Sequence, residues 1–182
     1  MLIEDGKGSG RKVQVDTANR LVTRSITIPQ LEYINEDLGK VWSIPLDAVA
    51  PSGATYFFII KNNGPHTISV CSIAMATSAG GVFRVSKVTG TPVGGTGIAP
   101  SNMNLNRTDL PDSILIESGT DITGLTESYL IYPLYIPTNS PFVYDSDSRL
   151  IITPGTSLAF KSHGAATVNG FVQFYEEQDA LE

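Results

Sequence analysis

Residues 54–65 read ATYFFIIKNNGP, and this stretch decides which fold class the sequence favours. Its first part is a run of aromatic and β-branched residues, which is typical of a strand. Its end, NNGP, favours a turn, because Asn and Gly adopt unusual backbone angles and Pro lacks a backbone donor. A second strand-like run, HTISVCSIAMATS, follows directly at residues 66–78. The sequence therefore predicts consecutive strands separated by turn residues.

The same pattern continues to the C-terminus. GVFRVSKVTG (81–90) alternates, with Phe83, Val85 and Lys87 facing one side. The last strand-like segment is ATVNGFVQFYEEQ (166–178), and the residues that share one of its faces are Val168, Gly170, Val172 and Phe174. Roughly eight or nine short strands with turn signals between them predict an all-β, antiparallel β-sandwich, with the eight-stranded jelly roll as the favoured form.

Three segments depart from this pattern. Residues 89–112 are rich in Gly, Pro, Thr and Asn, and a stretch of this length predicts either a functional segment or an excursion across the surface. LEYINEDLGK (31–40) has the spacing of a short helix, although a single turn or a loop fits equally well. The tail EEQDALE (176–182) is acidic and is predicted to be exposed.

Composition limits the function classes. A chain of 182 residues with a single cysteine is predicted to fold as one domain without an internal disulfide. A formal charge of −6 argues against a general nucleic-acid binder, because that affinity comes mainly from Lys and Arg neutralising phosphates. No apolar run is long enough for a membrane span and the N-terminus lacks a secretory pattern, so neither membrane insertion nor export is expected.

The N-terminal stretch EDGKGSGRKVQVDTANRL (4–21) raises the possibility of a phosphate-binding loop. Such a loop needs a buried strand before it and a helix after it, and neither flank fits this requirement. Residues 1–24 instead contain five cations and three carboxylates, a balance of +2, which leaves −8 for the remainder. We therefore predict a docking arm over residues 1–37, with a frayed terminus as the alternative, followed by a sandwich domain over residues 38–182. The residues predicted to bind a partner through this arm are Lys7, Arg11, Lys12, Arg20 and Arg24.

No catalytic, cofactor-binding or metal-binding constellation is predicted. His66 and His163 stand alone beside turns, and Cys71 lies in a strand-like run, where a small buried residue is expected. Asp145 and Asp147 are interpreted as part of a polar turn, because calcium loops need more oxygen ligands. The tyrosines of YLIYPLYIP (129–137) could form a sugar-stacking platform, but their spacing favours core packing.

The stretch IEDGKGSGRKVQVDTANRLVTRSIT (3–27) resembles the N-terminal signature of structural proteins from tailed-bacteriophage virions. The matching positions are Asp5, Gly6, Gly8, Gly10, Arg11, Lys12, Val15, Asp16, Asn19, Arg20 and Leu21. The resemblance is specific over these residues and only general beyond them, where residues 57–75, 82–108 and 150–160 look similar to the strand, long-loop, strand pattern of jelly-roll virion proteins.

This resemblance implies a non-enzymatic assembly role, with a homo-oligomer, expected to be a trimer, and the major capsid or another virion protein as partners. The favoured interpretation is a capsid decoration or head-fibre protein, made in the host cytoplasm and located in the virion. A tail, collar or baseplate component, including a receptor-binding jelly roll, is the first alternative. A stand-alone carbohydrate-binding sandwich or an enzyme without a recognisable motif is the second.

Overall fold

The structure, a computed structural model, describes residues 3–4, 12–13, 35 and 39–177. Residues 39–177 contain strands and connecting segments but no helix, so the all-β prediction is confirmed for this part of the chain. The strands are β1 (Ile3–Glu4), β2 (Lys12–Val13), β3 (Val41–Val49), β4 (Tyr56–Asn62), β5 (Ile68–Thr77), β6 (Gly81–Val93), β7 (Thr96–Gly97), β8 (Ser101–Asn102), β9 (Ile114–Ile136), β10 (Phe142–Ile152), β11 (Ser157–Ser162) and β12 (Val168–Glu176).

Two antiparallel sheets pack face to face, as the sequence predicts for a sandwich. The first sheet has the order β10-β5-β12-β3-β8, and the second has the order β4-β11-β6-β9-β7. Non-consecutive strands are neighbours in both sheets, so most pairings join residues that are distant in sequence. The strands of the sandwich begin at Val41 and end at Glu176.

The main core lies between the two sheets, where aromatic rings dominate. Trp42 of β3 stacks on Phe174 of β12 with 5.6 Å between ring centroids. Phe57 of β4 meets Phe83 of β6 edge to face at 6.0 Å. Full burial of such a side chain contributes on the order of 1.5–3 kcal/mol to stability. The predicted inward positions Val168, Val172 and Phe174 are confirmed, since all three are fully buried in this core.

Strand β4 is buried on both of its faces. Phe58 and Ile60 belong to the main core, whereas Tyr56 and Ile59 pack into a second, smaller cluster. The second cluster exists because β9 pairs with β4 through its first half and with β6 through its second half, closing a ring of four strands, β4-β11-β6-β9. The other residues of this cluster are Val88, Ile122, Leu125 and Ala159.

The second cluster corrects the prediction for β6. Phe83 and Val85 face the main core as expected, but Lys87 is exposed. Ser86 and Val88, which the alternation places away from the core, are instead buried at 0% and 2% exposure. Val88 belongs to the second cluster, so the face of β6 that the sequence predicts to be outward is covered at these positions, whereas Lys87 on the other face is exposed.

The segment 89–112 is more ordered than its composition predicts. Strand β6 continues to Val93, β7 adds to β9 of the second sheet, and β8 adds to β3 of the first sheet. The segment therefore crosses from one sheet to the other, and its longest stretch outside the strands begins at Met103. Its backbone is tied to the sandwich, for example by the Met103 amide donating to the Val41 carbonyl at 2.8 Å.

Near the N-terminus, β1 and β2 form a short antiparallel pair in which Ile3 lies opposite Val13 and Glu4 opposite Lys12. Lys12–Val13 agrees with the start of the strand predicted from residue 13. The short helix considered for residues 31–40 falls on positions of which the structure describes only residues 35, 39 and 40.

Candidate functional site at the arm root

The predicted docking residues fall almost entirely outside the described part of the chain. Lys7, Arg11, Arg20 and Arg24 lie there, and of Lys12 the structure describes only the backbone in β2. The described sandwich begins at Gly39, immediately after the predicted arm. We call this point the arm root, and the side chains around it form the candidate site.

A pocket of about 390 Å³ opens at the arm root. It lies between the start of β3, the end of β12 and the loop that precedes β9. Its lining combines two cations and three carboxylates with one indole ring and one exposed aliphatic side chain. The lining residues are Gly39, Lys40, Trp42, Arg107, Asp109, Leu110, Asp112 and Glu176.

Glu176 provides a buried carboxylate at the base of this pocket. The residue is only 3% exposed. One carboxylate oxygen accepts a hydrogen bond from the Asp112 amide at 2.9 Å, and the other lies 3.4 Å from the Lys40 ammonium. A buried carboxylate is tolerated when it is both paired and hydrogen-bonded. Glu176 thus connects the last strand to the arm root and to the loop before β9.

For the first residue of the acidic tail this position corrects the prediction of exposure, since Glu176 is the buried end of β12. Residues 178–182 of the tail lie outside the described part of the chain. A signal for the burial of Glu176 is present in the sequence. Val172, Phe174 and Glu176 follow at every second position, so the alternation that predicts Phe174 inward also points Glu176 inward. The charge of Glu176 instead predicts an exposed side chain. The structure agrees with the alternation, because Glu176 is buried.

The loop before β9 is held to the arm root by polar side chains. The Trp42 indole donates to the Asp109 carbonyl at 2.9 Å. The Asn102 amide donates to the Gly39 carbonyl at 2.7 Å. The Arg107 side chain covers Gly39 so closely that a β-carbon there would lie 2.9 Å from Cγ of Arg107. Asn102 and Arg107 therefore both contact Gly39, the first residue of the described sandwich.

A second polar cluster lies at the edge of the enclosed ring of strands. Glu127 of β9 pairs with Arg84 at 3.2 Å and accepts a hydrogen bond from the buried Ser86 hydroxyl at 3.0 Å. The Lys161 ammonium lies 5.2 Å from the centroid of the Tyr56 ring. Burial raises the pKa of Tyr56 above 10.0, the nearby Glu127 carboxylate raises it further, and Arg84 acts in the opposite direction.

The tyrosines of the segment 129–137 differ from the prediction of core packing. Tyr129 and Tyr135 are 72% and 70% exposed, so both are surface residues. Tyr132 is half-buried beside Tyr144 of β10, with 5.4 Å between ring centroids and 3.3 Å between hydroxyl oxygens. The hydrogen bond to Tyr144 raises the pKa of Tyr132. Register shifts between β6 and β9 alter the alternation on which the prediction rests.

The remaining isolated residues occupy separate elements. Cys71 is half-buried beside Val41 and Tyr175 rather than fully buried. Asp145 and Asp147 lie within β10 and not in a turn, which corrects that interpretation. Across the residues that the structure describes, no three His, Cys, Asp or Glu side chains are grouped so as to hold a metal ion.

Comparisons with protein-family models, with curated proteins and with solved structures each return no match. In the described ranges, no helix has the length and apolar character needed to cross a membrane.

Proposed function

We propose that this protein is a non-enzymatic structural protein of a tailed-bacteriophage virion. Its favoured role is that of a decoration or auxiliary head protein, which is made in the host cytoplasm and joins the capsid through its N-terminal arm. The observation that carries the proposal is the division of charge: residues 1–24 are net positive, whereas the rest of the chain carries −8. The resemblance of residues 3–27 to virion proteins supports the same role.

The arm root supports this proposal mechanically. An arm that transmits binding to a folded body needs a fixed point of attachment, and Gly39 is held there by Asn102 and covered by Arg107. Cationic residues on the arm would pair with an acidic surface of the major capsid protein or another virion protein. Glycines at positions 6, 8 and 10 permit the many backbone conformations of a segment that orders on docking.

The proposed form of the sandwich is a jelly roll. The eight long strands, taken in chain order, are β3, β4, β5, β6, β9, β10, β11 and β12. One sheet contains the first, eighth, third and sixth of these as neighbours, and the other contains the second, seventh, fourth and fifth. This division of the eight strands between two four-stranded sheets supports a double Greek-key path.

The proposed assembly is a homotrimer, since symmetric oligomers offer a sandwich a way to cover its exposed edges. A tail, collar or baseplate component remains the second candidate, because an exposed Tyr129 and Tyr135 on a β-sandwich also suit a receptor-binding module.

Location in the purified virion tests the proposal. Antibody labelling imaged by electron microscopy, together with quantitative mass spectrometry, would give both position and copy number. A head decoration protein should number in the hundreds and label the capsid, whereas a tail component should number about a dozen or fewer and label one end. Absence of the protein from purified virions would refute both candidates.

A further inference from the structure

The sequence contains two Asn-Gly pairs, Asn63-Gly64 and Asn169-Gly170. Asparagine is among the thermolabile residues, and it reacts most readily before glycine, which has no side chain to shield its backbone nitrogen. The first pair lies in the bend between β4 and β5, and the second lies inside β12. Both asparagine side chains are exposed, so access to solvent does not distinguish the two sites, whereas their backbone surroundings do.

Deamidation of such a pair proceeds in two steps. In the first, the glycine backbone nitrogen loses its proton and attacks the side-chain carbonyl carbon of the asparagine. The new C–N bond closes a succinimide ring, and the side-chain nitrogen leaves as ammonia. In the second step, water opens the ring at either carbonyl, which gives aspartate or isoaspartate. The reaction therefore needs water, a free glycine nitrogen and a rotation of the asparagine backbone that brings this nitrogen to the side chain.

The fold requires glycine in both pairs, which explains why a reactive sequence is present twice. A β-carbon on Gly64 would lie 2.5 Å from the Asp112 carbonyl oxygen. Gly170 lies so close to the Ala74 carbonyl that a β-carbon has no room there. Close approach of one backbone to another is a common reason for glycine at a position. The two sites thus share their chemistry and differ in what holds their backbone.

The pair Asn169-Gly170 is held by strands on both sides. Gly170 lies opposite Leu46 of β3 and Met75 of β5 in the two ladders. The side-chain oxygen of Asn169 accepts a hydrogen bond from the Ala48 amide at 2.9 Å. Rotation of this backbone toward a succinimide would disrupt the pairing of a central strand. Opening such a strand costs more free energy than moving a turn, so the fold protects Asn169.

The pair Asn63-Gly64 lies outside the strand ladders. The Gly64 amide donates to the side-chain oxygen of Asn62 at 3.0 Å, and this bond closes within the bend itself. The Asn63 amide donates to the Ser113 carbonyl at 3.0 Å. Rotation about the bond between Cα and the carbonyl carbon of Asn63 leaves that second hydrogen bond in place. The Gly64 nitrogen is therefore freed by a local movement of the turn that separates no strands.

We propose that Asn63 is a deamidation site, at which the folded protein forms aspartate or isoaspartate while Asn169 is preserved. Either product adds a carboxylate to the turn. Isoaspartate also adds a methylene group to the backbone between the two anchored nitrogens of Asn63 and Gly64. Because Asp112 and Ser113 contact this turn, the change reaches the loop that borders the arm root. This chemistry is independent of the proposed virion role.

The second Asn-Gly pair is the internal control of the experiment. The full-length chain would be incubated at mildly alkaline pH, both folded and in guanidinium chloride, and sampled over several weeks. Trypsin places Asn63 in peptide 62–84 and Asn169 in peptide 162–182, so the two sites are followed separately. Mass spectrometry with electron-transfer fragmentation then measures aspartate and isoaspartate at each position.

In the folded chain, Asn63 is expected to deamidate at least about tenfold faster than Asn169, because the turn opens at a lower free energy than the paired strand. In guanidinium chloride the two sites should react at similar rates. Asn63→Gln should remove the product from peptide 62–84, since ring closure from glutamine is slower, and should leave the fold unchanged. A folded chain in which Asn63 reacts no faster than Asn169, or a ratio of rates that denaturation does not change, would overturn the proposal.

Discussion

A β-carbon on Gly90 would lie 2.2 Å from the carbonyl oxygen of Gly124, so these two residues bring β6 and β9 closer together than side chains permit. Both have positive φ angles, +108° and +75°. The contact lies where β9 leaves β4 and begins to pair with β6, after Ile122. This close approach allows the ring of four strands to close over the second cluster.

Gly90→Ala should therefore destabilise the protein by about 3 kcal/mol or more, because both the positive φ and the backbone clash oppose a side chain. Gly155→Ala is the matched control, since Gly155 has φ +77° but a β-carbon there would meet nothing within 4 Å. Gly155→Ala should lower the free energy of unfolding by only about 1 kcal/mol. Urea unfolding followed by tryptophan fluorescence compares the two, and equal costs would show that the close approach is unimportant.

The buried carboxylate at the arm root gives a second prediction. Glu176→Gln keeps the volume of the side chain but leaves the Lys40 ammonium without its negative partner, so we expect a loss of about 1–3 kcal/mol in the free energy of unfolding. Asp47→Asn removes a carboxylate from an exposed position of β3 and should change stability by less than about 0.5 kcal/mol. Chemical denaturation measures both. A Glu176→Gln variant as stable as Asp47→Asn would contradict the structural role assigned to this pair.

The second polar cluster predicts a pH dependence. Burial raises the pKa of Tyr56 in the folded state above 10.0, the value of an ordinary tyrosine. As the pH rises through 10.0, the unfolded chain loses its proton first, so stability falls between that pH and the higher folded-state pKa. Tyr56→Phe removes this contribution and should flatten the fall in stability on the alkaline side of pH 10. Thermal unfolding from pH 8 to 11 tests this, and parallel profiles for the two proteins would contradict it.

The sequence predicts the sandwich because apolar and polar residues alternate in a strand that is buried on only one face. In β12, the inward positions Val168, Val172 and Phe174 are correct for this reason, although the strand ends with Tyr175 buried on its other face. In β4 the apolar run is continuous, since Phe58 and Ile59 face different clusters, and such a run does not reveal which partners cover it.

The candidate site is harder to predict, because it depends on contacts between distant parts of the chain. Trp42 and Asp109 are joined by a hydrogen bond across 67 positions, and no local pattern encodes that pairing. Core packing is the wrong prediction for Tyr129 and Tyr135, although aromatic residues in strands are often buried. Their exposure follows from register shifts and from the absence of a neighbouring strand on that side of β9, within the described residues.

The role of the arm leads to a prediction about charge. Replacing Arg11 and Lys12 with Glu should weaken joining to the host particle and make the residual binding less sensitive to salt, since exposed charge pairs are screened over about 10 Å at 0.1 M salt. Lys61→Glu combined with Lys87→Glu reverses two charges on the sandwich, which gives the same change of −4 in net charge, and should leave joining unchanged. Equal losses for the arm and sandwich variants would show that the arm has no special role.

Co-sedimentation of a chain lacking residues 1–28 with particles that lack the native protein tests the central claim most directly. The circular dichroism spectrum of the truncated chain should keep its β-sheet character, because β3 to β12 form the sandwich without these residues. We expect this folded body to remain in the supernatant while the full-length chain sediments with the particles. A truncated chain that fails to fold, or one that folds and joins the particles as fully as the complete chain, would contradict the arm-anchored assembly role.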